Sequence, residues 1–143
     1  LVATLALHKV YLGLGSNIGN RKRNMREAVQ YMESLIGTVM RQSALYETEP
    51  WGFESPNLFI NMCVYVETPL APRQLLEATQ EIEKRMGRVG KSANHEYQDR
   101  IIDIDILIYD DITVDEPDLK IPHPLMQERD FVMTPLNEIL KKK

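Results

Sequence analysis

The sequence predicts an α+β domain with helices packed on an antiparallel-rich sheet, and three observations carry the prediction. Short β-branched and apolar runs are spaced like strands, two longer segments repeat apolar residues at helical spacing, and Gly- or Pro-bearing breaks separate them. The chain has 143 residues, enough for one core without disulfides or structural zinc, so a single domain is expected.

The elements follow in order. Lys9 to Leu14 reads as a first strand, broken by the cluster Gly13, Gly15, Ser16, Asn17 and Gly19. Asn20 can cap a helix running to about Ile36, because Met25, Ala28, Val29, Met32, Leu35 and Ile36 fall on one face, and Gly37 ends it. Thr38 to Glu47 and Leu58 to Glu67 read as strands joined by a loop over 48–57, too long for a tight hairpin and therefore a candidate for function. Pro72 opens a second helix whose face is Leu75, Leu76, Ala78, Thr79, Ile82 and Met86, closed by Gly87. The polar stretch 88–100 is long for a connection in a small domain and reads as a lid. A strand over 101–108 follows, then a turn at Asp110-Asp111. Ile112 to Val114 and Leu119 to Ile121 read as short edge strands, and Pro122, Pro124 and Pro135 keep the rest irregular or in short helices. The order β-α-β-β-α-β is the split arrangement of ferredoxin-like folds, with two helices on one face.

Bulk properties narrow the function classes. An apolar fraction of 43% and a charged fraction of 27% are those of an ordinary globular protein, and a net charge of −4 argues against nucleic acid as a partner. Leu1 to Leu7 is too short to span a bilayer and lacks a basic leader, so no membrane role is expected, and residues 1–7 and 141–143 are expected to fray. The single cysteine, Cys63, lies in an apolar run and reads as a buried small hydrophobe, and such sparing cysteine use fits a cytoplasmic protein.

The run Ile-Ile-Asp-Ile-Asp-Ile-Leu-Ile at 101–108 carries most of the chemistry. Period-two alternation puts Asp103 and Asp105 on one face and Ile102, Ile104, Ile106 and Ile108 on the other. Two close carboxylates in a buried strand repel and lose hydration unless a cation lies between them; oxygen-only ligation points to Mg²⁺. The alternative is an edge strand whose carboxylates face water.

Six separated segments then point to one family. They are Leu14-Gly15-Ser16-Asn17; Tyr46-Glu47-Thr48-Glu49-Pro50-Trp51-Gly52; Phe59-Ile60-Asn61; Gln80-Glu81-Ile82-Glu83 with Gly87-Arg88; Asp99-Arg100 leading into the Asp-x-Asp strand; and Ile121-Pro122-His123-Pro124 with Arg129-Asp130-Phe131. Their order and spacing from about Val10 to Ile139 resemble the 6-hydroxymethyl-7,8-dihydropterin pyrophosphokinases. That resemblance implies transfer of the β,γ-pyrophosphoryl group of ATP to a reduced pterin, giving AMP, in folate synthesis. It implies two Mg²⁺ ions on Asp103 and Asp105, with Arg88 and Arg100 joining them in catalysis.

On the ATP side the resemblance implies Gln80, Glu83, Lys91, Tyr97, Arg100, Ile106, Lys120, His123 and Arg129. A guanidinium can grip two phosphate oxygens at once, which suits the arginines to that role. For the pterin it implies Phe59 and Phe131 on the ring faces, Asn61 and Thr48 on the edge, and Gly15 and Trp51 shaping the slot. The sequence departs from the commonest pattern at Gly90-Lys91 and at Tyr97, which takes the place of a lid tryptophan. It also carries Glu49 where proline is frequent and Phe59 where tyrosine is frequent. The expected partners are small molecules only, and the expected state is a monomer.

Two rival readings differ in class. A two-metal nucleotidyltransferase also uses a Gly-Ser turn with Asp-x-Asp, but there the two motifs lie close together, whereas Ser16 and Asp103 are far apart in sequence. A non-enzymatic ferredoxin-like module binding RNA or another ligand would, for RNA, show a basic face with exposed aromatics on its central strands.

Overall fold

The computed structural model describes residues 6–51, 55–87 and 100–140. Its elements are β1 (His8–Ser16), α1 (Arg21–Leu35), β2 (Thr38–Gln42), β3 (Tyr46–Thr48), β4 (Phe59–Thr68), α2 (Pro72–Arg85), β5 (Asp103–Tyr109), β6 (Val114–Glu116), β7 (Leu119–Ile121), a short 3-10 turn (Met126–Glu128) and α3 (Asp130–Leu140). The α+β class holds. One antiparallel sheet runs in the order β2-β4-β1-β5, with β3 also pairing β4, and β6 and β7 form a separate hairpin.

Strand β1 explains the division of the molecule. Its Val10, Leu12 and Leu14 point to one face and join Met25, Ala28 and Met32 of α1 and Leu75 and Ile82 of α2 in the larger core. Its intervening Tyr11, Gly13 and Gly15 point to the other face. The glycines therefore lie inside β1, which continues to Ser16, and do not break it after Leu14 as expected from composition. Asn20 caps α1 as anticipated, its side chain accepting from Arg23 N.

Gly37 follows the end of α1 as expected, its N–H donating to Met32 O at 3.1 Å, and a second constraint also requires glycine there. A Cβ there would lie 2.1 Å from the carbonyl oxygen of Glu67, so the backbone of β4 passes where a side chain would be. Gly87 likewise closes α2 as expected, with φ of +103°.

Three elements differ from the sequence reading. The strand expected over 38–47 is split: between the pairs Gln42↔Val64 and Tyr46↔Asn61 this side has one residue more than β4, and Ser43 bonds Cys63 through both its N–H and its hydroxyl. In β5 a bulge at Leu107 interrupts alternation, since Tyr11 pairs Ile108 while Leu12 pairs Ile106. Ile108 consequently leaves the face of Ile104 and Ile106, and Tyr109 enters the larger core, its hydroxyl donating to Leu70 O at 2.8 Å. Finally, the tail forms α3, an 11-residue helix that buries Val132, Pro135, Leu136 and Ile139. It packs against Cys63, Tyr65 and Leu107, so the sheet is covered on both faces.

Candidate active site

The half of the second sheet face not covered by α3 is a cleft of about 690 Å³, its open mouth included. Directly opposed residues on antiparallel strands share a face, so the registers define the floor. Asp103, Gly15, Asn61 and Tyr46 form one row across β5, β1, β4 and β3, and Asp105, Gly13 and Cys63 form the next. Because β1 contributes only glycine to both rows, the carboxylates face open space. A Cβ on Gly15 would come within 3.3 Å of Asn61 Oδ1 and 3.4 Å of the Phe59 ring, closing the slot beside them.

Aromatic walls and a polar rim complete the slot. Phe59, Trp51 and Phe131 line it with Thr48, Asn61, Arg100 and Arg129. Asn61 is buried and donates to Thr48 Oγ1 at 2.6 Å, which fixes its amide plane. Trp51 and Phe131 stand 6.4 Å apart between ring centroids, and the Arg129 guanidinium lies 4.5 Å over the Trp51 ring. Such a slot suits a flat heterocycle with a hydrogen-bonding edge.

The carboxylates are half-buried, Asp105 being 34% exposed. β5 is an edge strand, which corrects the expectation of a fully buried one, and both sequence alternatives hold in part: the strand is at an edge, yet its carboxylates line a cleft. His123 reaches them through the backbone. Its N–H donates to Leu107 O at 3.0 Å, and its Nε2 lies 4.0 Å from Asp105 Oδ1. Burial lowers the His123 pKa, with the Arg129 charge acting in the same direction and Asp103 against it, so the imidazole is neutral at pH 7. Among the described residues no group of three or more His, Cys, Asp and Glu could hold a metal. Two carboxylates facing an open cleft are an incomplete shell, the kind Mg²⁺ completes with water and substrate phosphates, so the donor set fits that ion.

Comparison with known sequences decides the family. Residues 11–141 match the family described as 7,8-dihydro-6-hydroxymethylpterin-pyrophosphokinase (HPPK). The chain belongs to this family. HPPK enzymes transfer pyrophosphate from ATP in folate biosynthesis, and this chain is an enzyme of that class. Two curated relatives carry the name 2-amino-4-hydroxy-6-hydroxymethyldihydropteridine pyrophosphokinase. The protein from Porphyromonas gingivalis (strain W83) is 45% identical over 131 residues, which cover 91% of this chain and 89% of its own. That from Bacillus subtilis is 41% identical, covering 92% and 78%. Among solved structures, an HPPK-DHPS in complex with substrates is 16% identical with a TM-score of 0.76, and wild-type Plasmodium falciparum HPPK-DHPS with SDX-DHP is 18% identical with a TM-score of 0.73. These two cover 94% and 92% of this chain, which spans 40% of each of theirs, and they support the fold.

Around the cleft, the sequence-predicted residues separate into groups. Gly15, Thr48, Trp51, Phe59, Asn61, Phe131, Arg100, Arg129, Asp103 and Asp105 all line one cleft, with His123 at its edge. Gln80 and Glu83 lie on α2, outside the lining. Glu83 is buried and its Oε2 accepts from Ile104 N at 2.8 Å, so it satisfies the outer edge of β5 between the two carboxylate positions. Ile106 turns its side chain into the larger core, on the face away from the cleft. Lys120 pairs Asp115 across the β6–β7 hairpin at 2.5 Å. Arg88, Lys91 and Tyr97 lie outside the described residues.

Two residues that bond to neighbours of the cleft were not singled out as site residues from sequence. Asn17, 3% exposed, joins Arg100 by two bonds, its N–H to Arg100 O at 2.9 Å and Arg100 N to its Oδ1 at 2.6 Å, and its Nδ2 donates to Asn57 O at 3.2 Å. It thus ties Arg100, which lines the cleft, to the chain at Asn57. Only its place in the Gly15-Ser16-Asn17 segment hinted at it. Glu138 of α3 has no sequence signal beyond its spacing from Phe131. Cys63, on the cleft floor, is the buried small hydrophobe expected: burial, aided by the nearby Asp105 charge, pushes its thiol up to about 12.

Proposed function

We propose that the chain transfers the β,γ-pyrophosphoryl group of ATP to the hydroxymethyl oxygen of 6-hydroxymethyl-7,8-dihydropterin. The new bond joins that oxygen to the β-phosphorus, the bond from the β-phosphorus to the α,β-bridging oxygen breaks, AMP leaves with the bridging oxygen, and the hydroxyl proton is released. The observation that carries this reading is the direct opening of the aromatic slot onto the Asp103–Asp105 pair. A pterin held there presents its substituent to the carboxylate end of the cleft.

Each group has a task that follows from its place. Phe59 and Phe131 take the ring faces, Asn61 and Thr48 its polar edge, and Gly15 and Trp51 set the width. Arg100 and Arg129 face the triphosphate, and the buried Nη1 of Arg100, with no hydrogen-bond partner among the described residues, is suited to a phosphate oxygen. Neutral His123 can donate one hydrogen bond there without adding charge. Asp103 and Asp105 would hold two Mg²⁺ ions, which when bound neutralise phosphate oxygens on the attacking and leaving sides. Arg88, Lys91 and Tyr97 belong to the same reading as a lid over ATP, and Gln80, Glu83, Ile106 and Lys120 as its nucleotide side, Ile106 through its backbone and Glu83 by holding β5.

The working unit in this reading is a cytoplasmic monomer. No helix among the described residues is long and apolar enough to cross a membrane. Chromatography of a reaction with ATP and reduced pterin tests the chemistry: AMP and pterin diphosphate in equal amounts are expected. Release of free pyrophosphate, or formation of ADP, would replace it with nucleotidyl or ordinary phosphoryl transfer.

A further inference from the structure

Helix α3 meets the slot directly near its start and the strand that frames the slot near its end. Phe131, near its start, forms one aromatic wall. Glu138 lies seven residues later, two helical turns and hence on nearly the same stripe, where its carboxylate meets the opposite side of the slot's frame. The Tyr46 hydroxyl donates to Glu138 Oε1 at 2.5 Å, and Ala44 N lies 3.1 Å from each carboxylate oxygen. Ala44 belongs to the irregular step between β2 and β3, and Tyr46 begins β3.

Strand β3 is only three residues long and, among the described residues, pairs on one side alone, with β4. So short an edge strand has little of its own to hold it. Yet it carries Thr48, and its Tyr46 carbonyl accepts from Asn61 Nδ2 at 3.4 Å while Asn61 also donates to Thr48 Oγ1. We infer that Glu138 is a positioning residue: through Tyr46 and Ala44 it clamps β3 to α3 and so fixes the polar edge of the slot, Asn61 and Thr48, relative to the Phe131 wall. The inference rests on the pterin reading of the slot, and it assigns Glu138 no contact with substrate or phosphate. One rigid helix then sets both the ring-stacking surface and the spacing of the edge donors.

The clamp acts on pterin affinity and leaves the ATP side alone, since Arg100, Arg129, Asp103 and Asp105 make no part of it. Tyr46→Phe keeps the ring and its packing while removing the hydroxyl. It should raise the pterin Kd about five- to tenfold, on the order of the net contribution of one ordinary hydrogen bond because the clamp acts on the slot at second hand, and leave the ATP KM within about twofold. Glu138→Ala should do at least as much. Glu138→Gln, which still offers an amide oxygen to either partner, should fall between it and the parent chain. Adding Tyr46→Phe to Glu138→Ala should change little, because both remove the same contact.

Pterin binding is measured by calorimetry, independently of turnover, on variants whose melting shows them folded. A parent chain that binds pterin but forms no AMP would defeat the proposed reaction, and the Kd comparison would still decide the clamp. An unchanged pterin Kd in folded Tyr46→Phe and Glu138→Ala, equal weakening of pterin and ATP, or additive effects in the double variant would each overturn the inference.

Discussion

The two faces of the sheet are built by opposite rules from the same strands. Toward α1 and α2, β1 presents Val10, Leu12 and Leu14, each 3% exposed or less, and β5 presents Ile104 and Ile106 against them. Toward the cleft, the neighbouring positions of those two strands are Gly13, Gly15, Asp103 and Asp105. One face is filled by volume and the other is left open by glycine. The contrast separates stability from chemistry within single strands, residue by residue, and it predicts that substitutions one position apart should have unrelated consequences.

The largest effect should come from the open face. Asp105→Ala or Asp103→Ala removes half of the carboxylate pair and should lower kcat at least about a thousandfold, the loss expected when several kcal/mol of charge stabilisation disappears. Melting without Mg²⁺ should hold steady or rise, since a like-charge repulsion is relieved. Steady-state assays and thermal melts check both. Retained turnover would end the comparison as drawn.

Next in size is the filled face. Leu12→Ala, adjacent to Gly13 and fully buried, should cost about 2–5 kcal/mol in denaturant unfolding, by lost transfer energy and the cavity left behind. Its kcat at a temperature where it remains folded should match the parent's. A large kcat defect would mean that the two faces are mechanically coupled.

Gly15→Ala sharpens the boundary between them. The added methyl meets Asn61 Oδ1 at 3.3 Å and Phe59 at 3.4 Å, contacts that require small movements of both. A pterin KM raised about tenfold, with stability within about 1 kcal/mol, is the expected outcome of a methyl placed in a binding slot. The smallest effect concerns Cys63. With its thiol pushed up to about 12, it should resist alkylation at pH 8 in the folded chain and react at an ordinary rate in denaturant, as a timed thiol titration would show.

Period-two alternation was enough to read the carboxylate pair, because Asp103 and Asp105 precede the bulge. It failed at Ile108, because the extra residue at Leu107 is selected by packing against Gly13 and α3, which no local pattern encodes. The same limit applies to α3. Pro135 lacks the N–H that would bond the Phe131 carbonyl, so local chemistry argued against a helix there, and burial of Val132, Leu136 and Ile139 overrides it. For the site, types were legible where a residue's chemistry is scarce in its setting, as with paired carboxylates in an apolar strand. Glu83 is the counterexample. Its side chain looked available on a helix face, yet it is bonded to the β5 backbone, a partner 21 positions away that only the fold brings near. Asn17 and Glu138 bond to groups far along the chain, Arg100 and Ala44 with Tyr46, so their sequence neighbourhoods give neither partner.

The bulge at Leu107 also says something about how this enzyme can change by insertion and deletion. Loss of that one codon would put Ile106 and Ile108 opposite Leu12 and Tyr11 in an unbroken ladder, and no other β5 side chain would change faces. What would vanish is the leucine lying over Gly13, together with the carbonyl that receives the His123 N–H. Leu107 is thus the fully buried side chain seated between Gly13 and α3 in the smaller core. Deleting it would leave a void there and would deprive the His123 N–H of its acceptor.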